Sequence, residues 1–323
     1  MTIAVFNSIM HWTIFIMIPL IVVSLGGLFS EKSGVVNIAL EGKMILGAFF
    51  GTIFMHYVQN IWVITMPGWL LLLCTLLIAT IVGIIISLVH AYASINLRAN
   101  QVISGIAINM FAAAFAIYGA RSTLGTQHIR FTNVMRIDHV PGLGSIPFIG
   151  PIMFQNTYFT SLLGIIILLI VSFVLFKTKF GLRLRACGEH PQAADSVGIS
   201  VSKMRYAGVI LSGALAGMGG VIYIIPIAAE FSGTVAGYGF LALAVLIFGA
   251  WNPKRIFFAA LFFGLTLSVA SQFTAIPFLR DLGIHANFFR MTPYVATLVV
   301  LALTSKNTLA PKAVGQPYDK GGR

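Results

Sequence analysis

The chain has 323 residues, of which 58% are hydrophobic and only 9% charged, with a mean hydropathy of +0.96. Soluble domains carry about 25% charged residues, so this composition excludes an ordinary soluble enzyme. It fits a polytopic helical membrane protein, because a backbone in lipid must satisfy its own polar groups. The net charge of +12 does not point to nucleic acid, since the basic residues are scattered over the short segments between apolar runs.

In chain order, Met10–Phe29 is the first span, stopped by Glu31, Lys32 and Ser33; lacking a basic start, it does not read as a cleaved leader. A second span opens at Gly34 and runs to His56. Pro67–Ala93, Gln101–Tyr118 and Tyr158–Phe176 follow, with a Gly- and Pro-rich loop over 121–157. Arg205–Ile225 contains GALAGMGG, small residues that let helices approach closely. Tyr238–Ala250 is thirteen residues, short for a span, and precedes Ile256–Phe273 and Met291–Leu303. The expectation is a single all-α membrane domain over 1–323 with about nine transmembrane helices. It divides into spans over 1–176, a polar stretch over 177–205, spans over 206–304 and a polar tail over 305–323.

Counting Lys and Arg in alternate loops gives fourteen on one side and five on the other, with Lys43 inside a span. The richer side is expected to be cytoplasmic, which puts the N-terminus outside and the C-terminus inside. Gly34–Gly51 and Gly237–Gly249 share a Gly start and a Gly-Ala ending while running in opposite directions. Opposed, broken repeats of this kind occur in transporter cores, and chance similarity is the competing reading.

The polar stretch reads KTKFGLRLRACGEHPQAADSVGISVSKMR, with six basic residues and the acids Glu189 and Asp195. Pro191 suits a first helical position and Gly198 a left-handed stop, so a short helix is predicted between them. A helix so short needs support from a partner or from its own chain. It is either a docking element or a solvated basic loop that only sets orientation.

Within the spans, Glu41 is the most informative residue, since a carboxylate at mid-bilayer costs about 2.5–3.5 kcal/mol on insertion scales. Asn37, four residues earlier, is expected on the same helix face, and Lys43 is expected to point elsewhere. Glu41 is either a polar element beside a translocation path or a structural carboxylate satisfied by neighbouring helices. Ser104 and Asn109, with Gln101, offer interhelical hydrogen bonds or substrate contacts. Phe111, Phe115 and Tyr118, and also Tyr238 and Phe240, pack or present faces on which a base could stack. Cys74 and Cys187 are not expected to pair, and the seven histidines show no metal-ligand spacing. The sequence contains no G-x-x-x-x-G-K-[ST] loop, H-E-x-x-H or Ser-His-Asp pattern. The residues alone describe a multi-span transporter or channel. An ion-coupled secondary transporter using Glu41 is the competing mechanism, and a membrane enzyme lacks a reactive cluster.

GVVNIALEGKMILGAFFG, RACGEHPQAADSVGISVSKMR, LSGALAGMGG and GAWNP together resemble the permease subunits of bacterial ATP-binding-cassette importers, in the branch for branched-chain amino acids, ribose-type sugars and nucleosides. The tail GQPYDKGGR is similar to the nucleoside permeases in particular. The resemblance implies a transport subunit, not an enzyme, that binds no cofactor itself. Separate ATP-binding subunits use ATP and Mg. A second permease, a paralogue in the family pattern, completes the path, and an extracellular or periplasmic substrate-binding protein delivers the substrate. It further implies a coupling helix formed by Glu189, His190, Pro191, Ala193, Ala194, Asp195 and Gly198, although Gln192 rather than an acid precedes the two alanines. Nucleosides are the expected cargo, with simple sugars and branched-chain amino acids as alternatives. Asn37, Glu41, Ser104 and Asn109 are the expected path residues.

Overall fold

The structure, a computed structural model, describes residues 3–132, 134–147, 150–228, 230–273, 276, 285–304 and 310–319. The helices are α1 (Ile3–Lys32), α2 (Leu40–His56), α3 (Gly68–Ala91), α4 (Gln101–Leu124), α5 (Phe159–Lys177) and α6 (Lys179–Glu189). They continue with α7 (Pro191–Ser196), α8 (Val201–Ile227), α9 (Tyr238–Phe248), α10 (Pro253–Ser271) and α11 (Ala286–Thr304). Among the described residues seven helices are long and apolar enough to cross a bilayer: α1 to α5, α8 and α10. The sequence count of about nine included α9, but its eleven residues reach only about 16 Å at 1.5 Å per residue. That is half of a hydrocarbon core about 30 Å thick. Arg280 and Asp281, read from sequence as part of a loop, lie outside the described residues.

Side-chain caps set several boundaries. Asn100 Oδ1 accepts from the N–H groups of Val102 and Ile103 at 2.9 and 3.1 Å and starts α4. Asn252 accepts from Lys254 N–H at 3.0 Å and, with Pro253 in the first turn, starts α10. The core is built around α1 and α8, and α8 lies against α1, α2 and α3. Glycine makes this closeness possible. A Cβ on Gly217 would overlap the Ala79 carbonyl of α3, and one on Gly220 would overlap the Met44 carbonyl of α2. Lipid supplies no hydrophobic drive between helices, so such backbone contact provides the dispersion that joins them.

Two expectations about boundaries are corrected. The second span does not begin as helix at Gly34: that residue turns at φ +96, residues 35–39 are irregular, and α2 starts at Leu40. Asn37 therefore does not share a helix face with Glu41. The stretch 177–205 holds more helix than the short one predicted between Pro191 and Gly198: α6 precedes α7, and α8 already begins at Val201. The physical reason is that Leu184 and Cys187 turn inward from α6, which gives it a buried side.

The two ends of the bundle differ in character. One gathers Lys32, Arg98, Arg185, Arg205, Arg255 and Lys312 around α6, α7 and residues 310–319. The other carries four short strands, β1 (Ile129–Arg130), β2 (Arg136–His139), β3 (Gln155–Tyr158) and β4 (Glu230–Phe231). Antiparallel pairing joins β1 to β4 and β2 to β3. His128 Nδ1 and Arg130 Nε lie 2.8 and 3.3 Å from the Glu230 carboxylate across the first pair.

Candidate functional site: an interrupted helix and a coupling segment

Residues 35–39 carry backbone groups that no helix ladder satisfies, and at membrane depth each would cost several kcal/mol if left open. Side chains from α3 and α4 take them up. Gln101 Oε1 accepts from Val36 N–H at 2.7 Å. His90 Nε2 lies 3.0 Å from the Val36 carbonyl, while its Nδ1 lies 3.0 Å from Ser104 Oγ. A carbonyl can only accept, so Nε2–H donates to it, while Nδ1 pairs with the hydroxyl. Asn109 works on both sides of the break: its Nδ2 donates to the Ile38 carbonyl at 3.0 Å and its Oδ1 accepts from Gly42 N–H at 2.8 Å.

Asn37 turns into the protein. Its Nδ2 donates to Ser212 Oγ at 2.7 Å, and its Oδ1 accepts from Lys43 Nζ at 3.0 Å. Lys43 is fully buried, so the expectation that it points away from Asn37 is corrected. The reason is the break itself, because an irregular Asn37 can fold back over the first turn of α2.

Glu41 lies at the start of α9. Its Oε1 accepts from Gly237 N–H at 3.0 Å and its Oε2 from Gly239 N–H at 2.6 Å. Gly237 enters α9 at φ +79, as Gly34 turns at φ +96 before α2. A Cβ on Gly239 would collide with the Glu41 backbone, so the first turns of α2 and α9 touch. The far end of α9 is fixed by a second acid: Trp251 Nε1 donates to Glu31, the penultimate residue of α1. Between these anchors α9 spans about 16 Å. Tyr238, the first residue of α9, stacks obliquely on Tyr223 with centroids 4.2 Å apart. Phe115 lies 5.4 Å from Phe111 and 5.8 Å from Phe49, whereas Tyr118 and Phe240 are exposed.

At the basic end, α6 is capped by Thr178 and passes through His190 into α7, with Pro191 in its first turn as predicted. Gly198 closes α7 at φ +81; its N–H donates to the Asp195 carbonyl at 2.9 Å, and Ile199 N–H donates to the Ala194 carbonyl at 3.1 Å. Pro191 and Ala194 face inward, and Ala194 joins Cys187 and Val201 in a small separate core. Burial pushes the Cys187 thiol up from its ordinary range. His190, Ala193 and Gly198 face out, Glu189 and Asp195 are half-buried, and Val197 presents an apolar side chain 74% exposed. The Ala310–Asp319 tail lies alongside this segment, and a cavity of about 180 Å³ between them is lined by Glu189, His190, Arg205 and Lys312.

Residues 9–304 match the family described as the branched-chain amino acid transport system permease component. The chain belongs to this permease family. The guanosine ABC transporter permease protein NupQ of Bacillus subtilis is 44% identical over 94% of both chains. The nucleoside ABC transporter permease protein NupC of Lactococcus lactis is 42% identical over 94% of this chain and 93% of its own. A second Lactococcus lactis protein, the nucleoside ABC transporter permease protein NupB, is 24% identical over 79% of this chain and 70% of its own. No solved structure matches.

In this permease the structure brings Asn37, Glu41, Ser104 and Asn109 together around one interruption, and it keeps them apart from Glu189–Gly198 at the basic end. Sequence reasoning missed His90, Ser212 and Glu31. His90 and Glu31 had only their polarity inside or beside an apolar run as a signal. Ser212 sits in a stretch of small residues and looks like any packing position.

Proposed function

We propose that this permease moves nucleosides across the bacterial cytoplasmic membrane by alternating access, driven by separate ATP-binding subunits. The observation that carries the cargo is the identity to the two nucleoside permeases, 44% and 42% over nearly the whole chain. The relative named as a putative glucose permease is 29% identical. ATP and Mg act in the partner subunits. A substrate-binding protein delivers the nucleoside, and a paralogous permease completes the path, as the separate NupB and NupC chains of Lactococcus lactis suggest.

The orientation follows from charge. The end carrying α6, α7 and the tail holds most of the lysines and arginines and is cytoplasmic; the end carrying the strands, where His11 near the start of α1 meets Pro151, is extracellular. Glu189, His190, Pro191, Ala193, Ala194, Asp195 and Gly198 form the coupling segment, with Ala193 and Val197 toward the ATPase and Pro191 and Ala194 toward the permease. Asn37, Glu41, Ser104 and Asn109 hold the irregular segment before α2 in place, so their part in transport is to shape the path. A segment held by side chains rather than by a helix ladder is where a switch between inward and outward opening could act.

The test is uptake of radiolabelled guanosine, adenosine, glucose and leucine by cells lacking the chain and complemented with it. Nucleoside uptake should return and be outcompeted by unlabelled nucleosides alone. Restored glucose or leucine uptake would reassign the cargo. Uptake that persists when residues 189–195 are replaced by Gly and Ser, with membrane insertion retained, would remove the coupling role.

A further inference from the structure

The described part of the tail, residues 310–319, folds back onto the bundle and touches several elements in turn. Ala313 N–H donates to the Gly188 carbonyl near the end of α6 at 2.9 Å, and Gly315 N–H donates to the Gly34 carbonyl at 3.2 Å. Arg205 of α8, fully buried, donates through Nη1 to the Gln316 carbonyl at 2.9 Å. Arg98, just before α4, makes two bonds to the Asp319 carboxylate at 3.1 and 3.0 Å. Between these points Tyr318 lays its ring on the small core of Cys187, Ala194 and Val201 that supports α7. The Arg205 guanidinium stands 6.0 Å from the centroid of that ring.

We propose that this tail is a clasp that carries movement of α7 into the interrupted segment before α2, with Tyr318 as the positioning residue. The proposal rests on α7 being the site where the ATPase acts. A six-residue helix has too few internal hydrogen bonds to hold its own position and follows whatever its inner face rests on. Here that face rests on a core which Tyr318 covers. Only Gln316 and Pro317 separate Tyr318 from Gly315, and an extended chain spans at most about 3.3–3.6 Å per residue, so little slack is available. Displacing α7 and its core therefore pulls on the Gly34 carbonyl. Gly34 is where the chain turns at φ +96 into the irregular stretch bound by Gln101, His90 and Asn109. The tail thus links the cytoplasmic motor contact to the one part of the second span that is not held as helix.

The experiment uses the assembled transporter in proteoliposomes, reading guanosine uptake and ATP hydrolysis in the same sample. Tyr318→Ala should co-purify with its partners and hydrolyse ATP while uptake per ATP falls about tenfold, within the range of coupling changes from single substitutions. Tyr318→Phe keeps the ring but loses the hydroxyl's hydrogen bond to Asp195 of α7, and its ratio should fall between those of the native protein and Tyr318→Ala. A native ratio in Tyr318→Ala overturns the proposal, as does equal loss of assembly in both variants. If Tyr318→Ala alone fails to assemble, Asp319→Ala carries the test: its carboxylate is half-exposed, and a native ratio there overturns the clasp. The Gly-Ser replacement of residues 189–195 serves as reference. If it too transports normally, the docking reading fails; if it uncouples while Tyr318→Ala does not, only the clasp fails.

Discussion

Removal of the Glu41 carboxylate separates a structural role from a transport role. In the native protein Glu41 accepts from Gly237 N–H at 3.0 Å and Gly239 N–H at 2.6 Å, inside the bundle and away from water. Glu41→Ala leaves both donors open. A buried donor without its partner costs about 1–3 kcal/mol, so two cost roughly 2–6 kcal/mol. Net stabilities of folded domains are about 5–15 kcal/mol, so that loss is severe. Glu41→Gln keeps one acceptor oxygen but turns an amide donor toward the other N–H, and should lose about half as much. The assay is thermal unfolding of the purified transporter in nanodiscs, followed by uptake kinetics on the folded fraction. The expected order of melting temperature is native, then Gln, then Ala, with an unchanged KM for guanosine in the folded fraction. An alanine variant that melts with the native protein would refute the capping argument. A glutamine variant of native stability with an altered KM would move Glu41 to the substrate or to a coupled ion.

Four further outcomes follow from the same contacts. Asn37→Leu strips the buried Lys43 Nζ of its hydrogen bond and should cost about 1–3 kcal/mol; adding Lys43→Met should recover most of it, seen as paired melting temperatures. Gly217→Ala drives a methyl into the Ala79 carbonyl and should cost about 1–3 kcal/mol by overpacking, measured as lower yield and melting temperature. Gly198→Ala meets no neighbouring atom but must adopt φ +81, a strain of about 1–2 kcal/mol, so α7 should fray and uptake per ATP fall while assembly persists. The Cys187 thiol is buried and its pKa raised, so the folded state favours the neutral form. Its contribution to stability is complete below the thiol's ordinary range and declines as pH rises above it. Alkylation of Cys187 should accordingly be slow at neutral pH and accelerate in Tyr318→Ala.

The fold class and the short helix α7 were legible because each rests on local chemistry. Long apolar runs announce helices in lipid, and Pro191 and Gly198 bracket α7 through their own backbone preferences. The interruption before α2 was not legible. Residues 34–39 are apolar enough to continue a span, and what stops them is a set of partners far away in sequence, among them His90, Gln101 and Asn109. Lys43 was misplaced for the same reason, since helical spacing was applied across a stretch that is not helical. The tail looked like a polar terminus because its contacts lie far away in sequence: backbone carbonyls at Gly34 and Gly188, and the side chains of Arg98 and Arg205.

The meeting of the first turns of α2 and α9 has an electrical consequence. Each helix start carries roughly half a positive charge, and two such ends brought into contact would repel. The carboxylate of Glu41, held by the first N–H groups of α9 from within the first turn of α2, balances both. One side chain thus lets two helix ends abut inside the bundle, where no water screens them.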